Sequence, residues 1–211
     1  MAVNIAAANS EILAIESSCD TINNYVKNIQ ENFSNGIQSI WNSPTAKNMV
    51  VKVDGAINQV INSTNKALFS NGGNSALEAV QSASDAIAKY NNGATISELT
   101  NKTIDRATSD WSGVEDGYNF PELGFDMTAF LEENVVSNLS SVIAELENIK
   151  SSMSNINNDI GGNYLDNAIT SIGNSIDEIN GETGIVAVQK SIKELAQQLD
   201  EDRKNMELKT N

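Results

Sequence analysis

Residues 12–46 read ILAIESSCDTINNYVKNIQENFSNGIQSIWNSPTA, and this stretch decides the fold. Ile12, Ile15, Cys19, Ile22, Val26, Ile29, Phe33, Ile37 and Ile40 follow one another in steps of three and four. Such steps return to one side of an α-helix, so the spacing predicts a helix over about 10–40 with an apolar stripe about four heptads long. At ~1.5 Å per residue it is roughly 45 Å long. A single stripe of that length cannot be buried without a partner. The partner begins in the same stretch, because in Trp41-Asn42-Ser43-Pro44-Thr45-Ala46 the serine is a favoured N-cap and the proline a favoured first helical residue. Apolar residues recur at Ala46, Met49 or Val50, Val53, Ala56 or Ile57, Val60, and Ala67 or Leu68. The connection is too short for anything but an antiparallel return, so the first element is a helical hairpin.

The pattern occurs twice. Val135, Leu139, Val142, Leu146, Ile149, Met153, Ile156 and Ile160 form a second stripe. With Ile40 set on Ile160, an offset of 120, Ile15 falls on Val135, Cys19 on Leu139, Ile22 on Val142, Val26 on Leu146, Ile29 on Ile149 and Phe33 on Met153. Ile37 is out by one position. After the turn the offset is 119, with Val50 on Ile169, Val53 on Ile172, Ile57 on Ile176 and Val60 on Ile179, as if one residue were lost within the turn. Matching stripes joined by matching turns indicate an internal duplication. The expected organisation is a first hairpin over 1–70, a short-helix and loop insertion over 71–125, and a second hairpin with a C-terminal helix over 126–211. The fold class is all-α, with two long antiparallel hairpins packed as a four-helix bundle.

Within the insertion, Asn71-Gly72-Gly73-Asn74 is a breaker. Ser75 to Glu78 and Thr95 to Glu98 have capping-box spacing, which predicts helices over about 75–91 and 95–110. The stretch from Trp111 to Phe125, with its aromatics, Pro121 and glycines, reads as an ordered loop.

The composition narrows function. The chain has 211 residues, 40% hydrophobic but only 5% aromatic, and a formal net charge of −15. That charge repels phosphate backbones and anionic membranes, so neither nucleic-acid binding nor membrane association is expected. With no histidine, the usual general base, the Ser and Cys triads and most zinc sites are unavailable. The lone Cys19 lies on the stripe and reads as a small buried hydrophobe. No cofactor or metal is expected, and the chain reads as a non-enzyme. No apolar run is long enough to span a bilayer, and no basic region precedes the short apolar N-terminus, so a cleaved Sec leader is not expected either.

The turn Trp41-Asn42-Ser43-Pro44 resembles that of the WXG family, the early-secreted-antigen-like helical hairpins exported by Gram-positive type VII secretion systems. There a Trp-x-Gly turn joins two antiparallel helices, and hairpins usually pair into four-helix bundles. Here Ser43 replaces the glycine, and the second turn, Gly161-Gly162-Asn163-Tyr164, lacks the tryptophan. The resemblance covers 5–70 directly and 126–180 by internal repeat. It implies a protein secreted without a cleaved signal peptide, to the cell exterior or surface, acting by protein–protein contact. Its partners would be the type VII machinery or a co-secreted effector or WXG partner. Its state would be a monomer with an internal pseudo-dimer, or a homodimer. The four turn residues would be the recognition site, with Trp41 half-exposed at the hairpin tip. A helical pore-forming toxin and a cytosolic structural bundle are the alternative readings.

Other motifs weigh less. Trp111-Ser112-Gly113 spells the family motif but precedes an acidic loop, not a helix start. Asp110, Glu115 and Asp116 lack the spacing of a calcium loop. Tyr118 and Glu122 have the Tyr-x-x-x-Asp/Glu spacing of the family's export signal, yet Pro121 lies between them and the position is internal. Asp200, Glu201 and Asp202, next to Arg203 and Lys204, read as a solvated helix end.

Overall fold

The computed structural model describes residues 3–114 and 117–210. Helix α1, Ile5–Ile29, opens where Asn4 Oδ1 accepts the Ala7 N–H at 3.1 Å. It buries Ile12, Ile15, Cys19, Ile22, Val26 and Ile29, and burial pushes the Cys19 thiol up to about 12. The α-helix expected as far as 40 instead changes its hydrogen bonding after Ile29. Gln30–Asn35 form a π-helical turn and Gly36–Ser39 a 3₁₀ turn. A π turn accommodates one residue more than an α turn. The buried positions accordingly widen to steps of four, at Ile29, Phe33, Ile37 and Trp41. The stripe therefore ends on Trp41 and not on Ile40, which is only half-buried.

This relocates the register shift. Phe33 and Met153, both buried, stand 120 apart, whereas Ile37 and Ile156, then Trp41 and Ile160, stand 119 apart. The odd residue thus sits inside the π-helical turn rather than in the hairpin turn. Gly36 closes that turn against its own backbone, since a Cβ there would lie 2.9 Å from the Glu31 carbonyl oxygen.

The remaining helices are α2 (Pro44–Phe69), α3 (Ala76–Ala88), α4 (Met127–Leu131), α5 (Ser137–Ile160), α6 (Asp166–Asn180) and α7 (Ile185–Thr210). A second π-helical turn, Glu132–Val136, links α4 to α5. Ser75 and Glu78 form the expected capping box on α3, and Asp126 caps α4 through the Ala129 N–H. Among the described residues there is no β-strand, only an isolated antiparallel bridge between Asn42 and Asn119. Among the described residues no helix is long and apolar enough to cross a membrane.

The chain divides into two compact units. The first comprises Met1–Asn24, Ile61–Asp105 and Ser141–Ile179. In it α1 and α5 run antiparallel. Asn4 N–H donates to the Asp159 carbonyl at 2.8 Å, and Asn155 Nδ2 to Glu11 Oε1 at 3.2 Å, which sets α1 against α5. Asn157 near the end of α5 donates to Asp166 at the start of α6 at 2.8 Å, and the Ser175 hydroxyl reaches the Ser63 carbonyl on α2 at 3.4 Å. Ile15, Ile22, Leu146, Ile149, Ile172 and Ile176 lie in its core. The second unit comprises Tyr25–Val60, Arg106–Ser140 and Asn180–Asn211. There the Ser34 hydroxyl donates to Asp54 Oδ1 at 2.7 Å as α2 returns past the π-helical turn, and Lys52 on α2 pairs with Glu194 on α7. Phe33, Trp41, Ile57, Leu131, Ile192 and Leu195 are its core.

The helix expected over 95–110 does not form. These residues run extended and make no backbone–backbone hydrogen bond among the described residues. Side chains of the flanking helices take up their polar groups instead, which removes the advantage a helix would have had. In the first unit Asn65 grips both the N–H and the carbonyl of Ile104, each at 2.8 Å. In the second unit Asn58 does the same for Ala107 and Gln30 for Thr108, at 2.6–2.9 Å.

Candidate functional site

The sequence singles out Trp41, Asn42, Ser43 and Pro44, and the second unit brings them together with residues the sequence did not connect to them. Ser43 is the N-cap of α2. Its Oγ accepts the Ala46 N–H at 3.1 Å, its carbonyl accepts the Lys47 N–H, and Pro44 begins the helix. Asn42 exchanges both backbone hydrogen bonds with Asn119 at 2.9 Å, which ties the turn to the loop after Tyr118.

Trp41 departs from expectation. It is fully buried rather than half-exposed, and its indole N–H donates to Asp202 Oδ2 at 3.3 Å. A hairpin tip would cover a tryptophan only in part, but α7 supplies the missing cover. Its Asp202, expected in a solvated helix end, is itself buried. The same carboxylate accepts the Ser43 hydroxyl at 2.5 Å and the Thr45 hydroxyl at 3.4 Å. One charged acceptor thus holds the tryptophan, the cap and the first turn of α2, and bonds of this charge-assisted kind are stronger than neutral ones. The next residue, Arg203, donates to the carbonyls of Pro121 and Glu122.

Beside this lock is a cavity of about 590 Å³, lined by Asn42, Ser43, Pro44, Lys47 and Asn48 from the turn and by Trp111, Val114, Gly117 and Tyr118 from the loop. Trp111 is half-buried in a turn closed by the Val114 N–H, and its indole N–H is buried without an acceptor among the described residues. Tyr118 is 53% exposed and stacks on Phe120 at 6.5 Å between centroids. Amides, one lysine and aromatic edges suit hydrogen bonding and packing to a polypeptide.

Other candidates fall elsewhere. Glu115 and Asp116 lie outside the described residues, so the acidic loop reading rests on Asp110, whose carboxyl is held low by its bond with Ser112. Sequence reasoning named Tyr118 only for an export-signal spacing and Asp202 only as a solvated helix end, and it missed the buried Asp54, which accepts from Ser34 and Ser109 and whose carboxyl is pushed up by burial. For Asp202 a period break was the available signal, because it stands three residues past Leu199 where the stripe of α7 predicts a hydrophobe, whereas Asp54 follows the filled stripe position Val53 and leaves no such trace. No family model, no curated protein and no solved structure matches the chain.

Proposed function

We propose that this chain is a non-enzymatic substrate or export partner of a Gram-positive type VII secretion system, acting by protein contact at the surface beside the Trp41 turn. The observation that carries this reading is the lock on the turn. Asp202 fixes Trp41, Ser43 and Thr45 in one arrangement, and a rigid turn presents the adjoining cavity without an ordering cost on binding. The docking residues are Asn42, Pro44, Lys47 and Tyr118, while Trp41 supports them from within. The antiparallel run of α1 and α5 and the matched buried positions favour an ancestral hairpin that was duplicated. On this reading the two copies pack within one chain as a four-helix bundle, replacing the dimer of single-hairpin relatives. The protein is then secreted without a cleaved signal peptide, and it engages the machinery or a co-secreted partner.

The test is export from a type VII-competent Gram-positive host. The double variant Lys47→Ala, Tyr118→Ala is expected to keep wild-type circular dichroism while its level in the supernatant falls about tenfold. Unchanged export of that variant would remove the turn surface as a docking site. A wild-type chain found only inside the cell would favour a cytosolic bundle, and leakage of liposomes would favour a pore former.

A further inference from the structure

Residues 96–104 are held in the first unit in the way a ligand is held. The Ser84 hydroxyl on α3 donates to the Ile96 carbonyl at 3.1 Å. On α1, Asn9 Oδ1 accepts the Ser97 N–H at 2.7 Å and Glu16 Oε1 the Thr100 N–H at 2.9 Å. Asn65 on α2 takes both backbone groups of Ile104. A side chain that bonds to N–H and C=O reads main chain alone, so any residue but proline satisfies it. Side-chain identity enters at few points. Ile96, Leu99 and Ile104 are buried, and Lys102 pairs with Asp20 at 2.8 Å beside Glu16. The residues between are exposed. Asn92 and Gly93, at φ 50° and 80°, make a separate turn just before the segment. Main-chain bonds for affinity and sparse pockets for specificity are the working parts of peptide-binding grooves.

We propose that Asn9, Glu16, Asp20, Asn65 and Ser84 form a binding site for an extended peptide, and that its ligand in trans is the same segment of a second copy. The ligand carries aliphatic residues at its first, fourth and ninth positions and a lysine or arginine at its seventh, the pattern of Ile96, Leu99, Ile104 and Lys102. The second copy is the occupant because each copy carries a segment already shown to fit. The chain's own segment competes at an effective concentration on the order of millimolar, so an added segment occupies the site weakly until the tethered one is weakened or the concentration is high.

The probe is a fluorescein-labelled peptide of residues 95–105, TISELTNKTID, titrated by polarisation against the full chain. Lys102→Glu in the chain places a like charge against Asp20 and Glu16 at the surface, where it does not disturb the core. The peptide is expected to bind that variant at least tenfold more tightly than wild type. Adding either Asn65→Ala or the surface substitution Asn9→Ala should remove most of the gain, with circular dichroism reporting that each variant is folded. Two differently tagged wild-type populations, incubated together at high concentration, should co-purify, and excess unlabelled peptide should suppress this. The proposal is overturned if Lys102→Glu binds the peptide no better than wild type. It is equally overturned if both Asn variants bind undiminished, or if the tagged copies never associate.

Discussion

The helical path from Ile5 to Trp41 and the path of α5 from Ser137 to Ile160 bury the same stripe, yet only the first holds a π-helical turn near its end. Each path then enters a turn, and the two turns are fastened differently. The first has its own N-cap, Ser43, and a buried tryptophan, both held by a carboxylate 159 and 161 residues away in the chain. The second is fastened locally. Gly161 takes φ 73°, its N–H and that of Gly162 return to the Asn157 carbonyl, and the Asn157 side chain accepts the Leu165 N–H at 3.0 Å and donates to Asp166 at 2.8 Å. Its aromatic, Tyr164, lies on the surface over Gly162 at 40% exposure. The first turn is therefore fastened by tertiary structure, whereas the second is fastened by bonds within residues 157–169. An extra residue absorbed as a π turn lets the first path swing Trp41 into the core while keeping the upstream stripe in place.

The comparison is most exposed to single-residue deletions at equivalent surface positions. Removing Asn155 rotates everything after it by about 100° and turns Ile156 and Ile160 away from the core. A loss of more than about 4 kcal/mol is expected, from two buried isoleucines at about 2–5 kcal/mol each. Removing Asn35 should convert the π turn into an α turn with Ile37 and Trp41 still on the stripe, so the expected cost is below about 2 kcal/mol, chiefly the Ser34–Asp54 bond. Urea melts of the two deletions decide the matter, and equal damage would mean that the π turn is not an inserted residue.

A smaller contrast separates the aromatics. Trp41→Ala should cost about 3–5 kcal/mol because the side chain is fully buried, and Tyr164→Ala less than about 1 kcal/mol. Thermal melts that rank Tyr164 above Trp41 would reverse the account of the two turns. Next come the fasteners. Asp202→Ala should cost about 2–3 kcal/mol and Asn157→Ala about 1–2 kcal/mol, since the former removes a charged acceptor shared by three donors. If a double-mutant cycle between Trp41→Phe and Asp202→Ala shows no coupling, the indole bond is not part of the lock.

The smallest effect is in the pH dependence, where an acid of each unit acts with opposite sign. Burial raises the Asp54 carboxyl in the second unit, so the folded chain holds that proton more tightly than the unfolded one. Its contribution is complete below the ordinary value of 3.8 and is lost as pH rises through the folded value above it. Bonds from Thr100 lower the Glu16 carboxyl in the first unit, and its contribution is present above the ordinary 4.5 and lost as pH falls through the folded value beneath it. Asp54→Asn should flatten a decline in stability with rising pH, and Glu16→Gln should flatten a rise. Stability measured from pH 3 to 7 in the two variants checks both signs, and identical profiles would contradict them.

Much of the helical framework is legible in the sequence because a stripe such as Ile12 to Ile29 needs only local spacing to be recognised. The cap at Ser43 and the capping box at Ser75 are legible for the same reason. What escapes is whatever depends on a distant partner. Thr95 and Glu98 have the spacing of a helix start, and nothing within ten residues reveals that Asn9, Glu16, Asn65 and Ser84 will satisfy that backbone. Trp41 looks half-exposed from its own neighbourhood, since Asp202 is invisible from there. The π turn left one trace, Ile37 standing a position out of register, and only the burial of Trp41 in place of Ile40 gives that trace its meaning.

The extended segment has a consequence for the order in which the chain folds. A helix can begin to form from its own residues, but residues 95–110 have no such local reward. Their partners, spread from Asn9 to Ser84, must already stand side by side before any of those bonds exists. Ordering the segment early would cost chain entropy of about 1–2 kcal/mol per residue with nothing in return. It therefore locks down after the helices that carry its partners have come together.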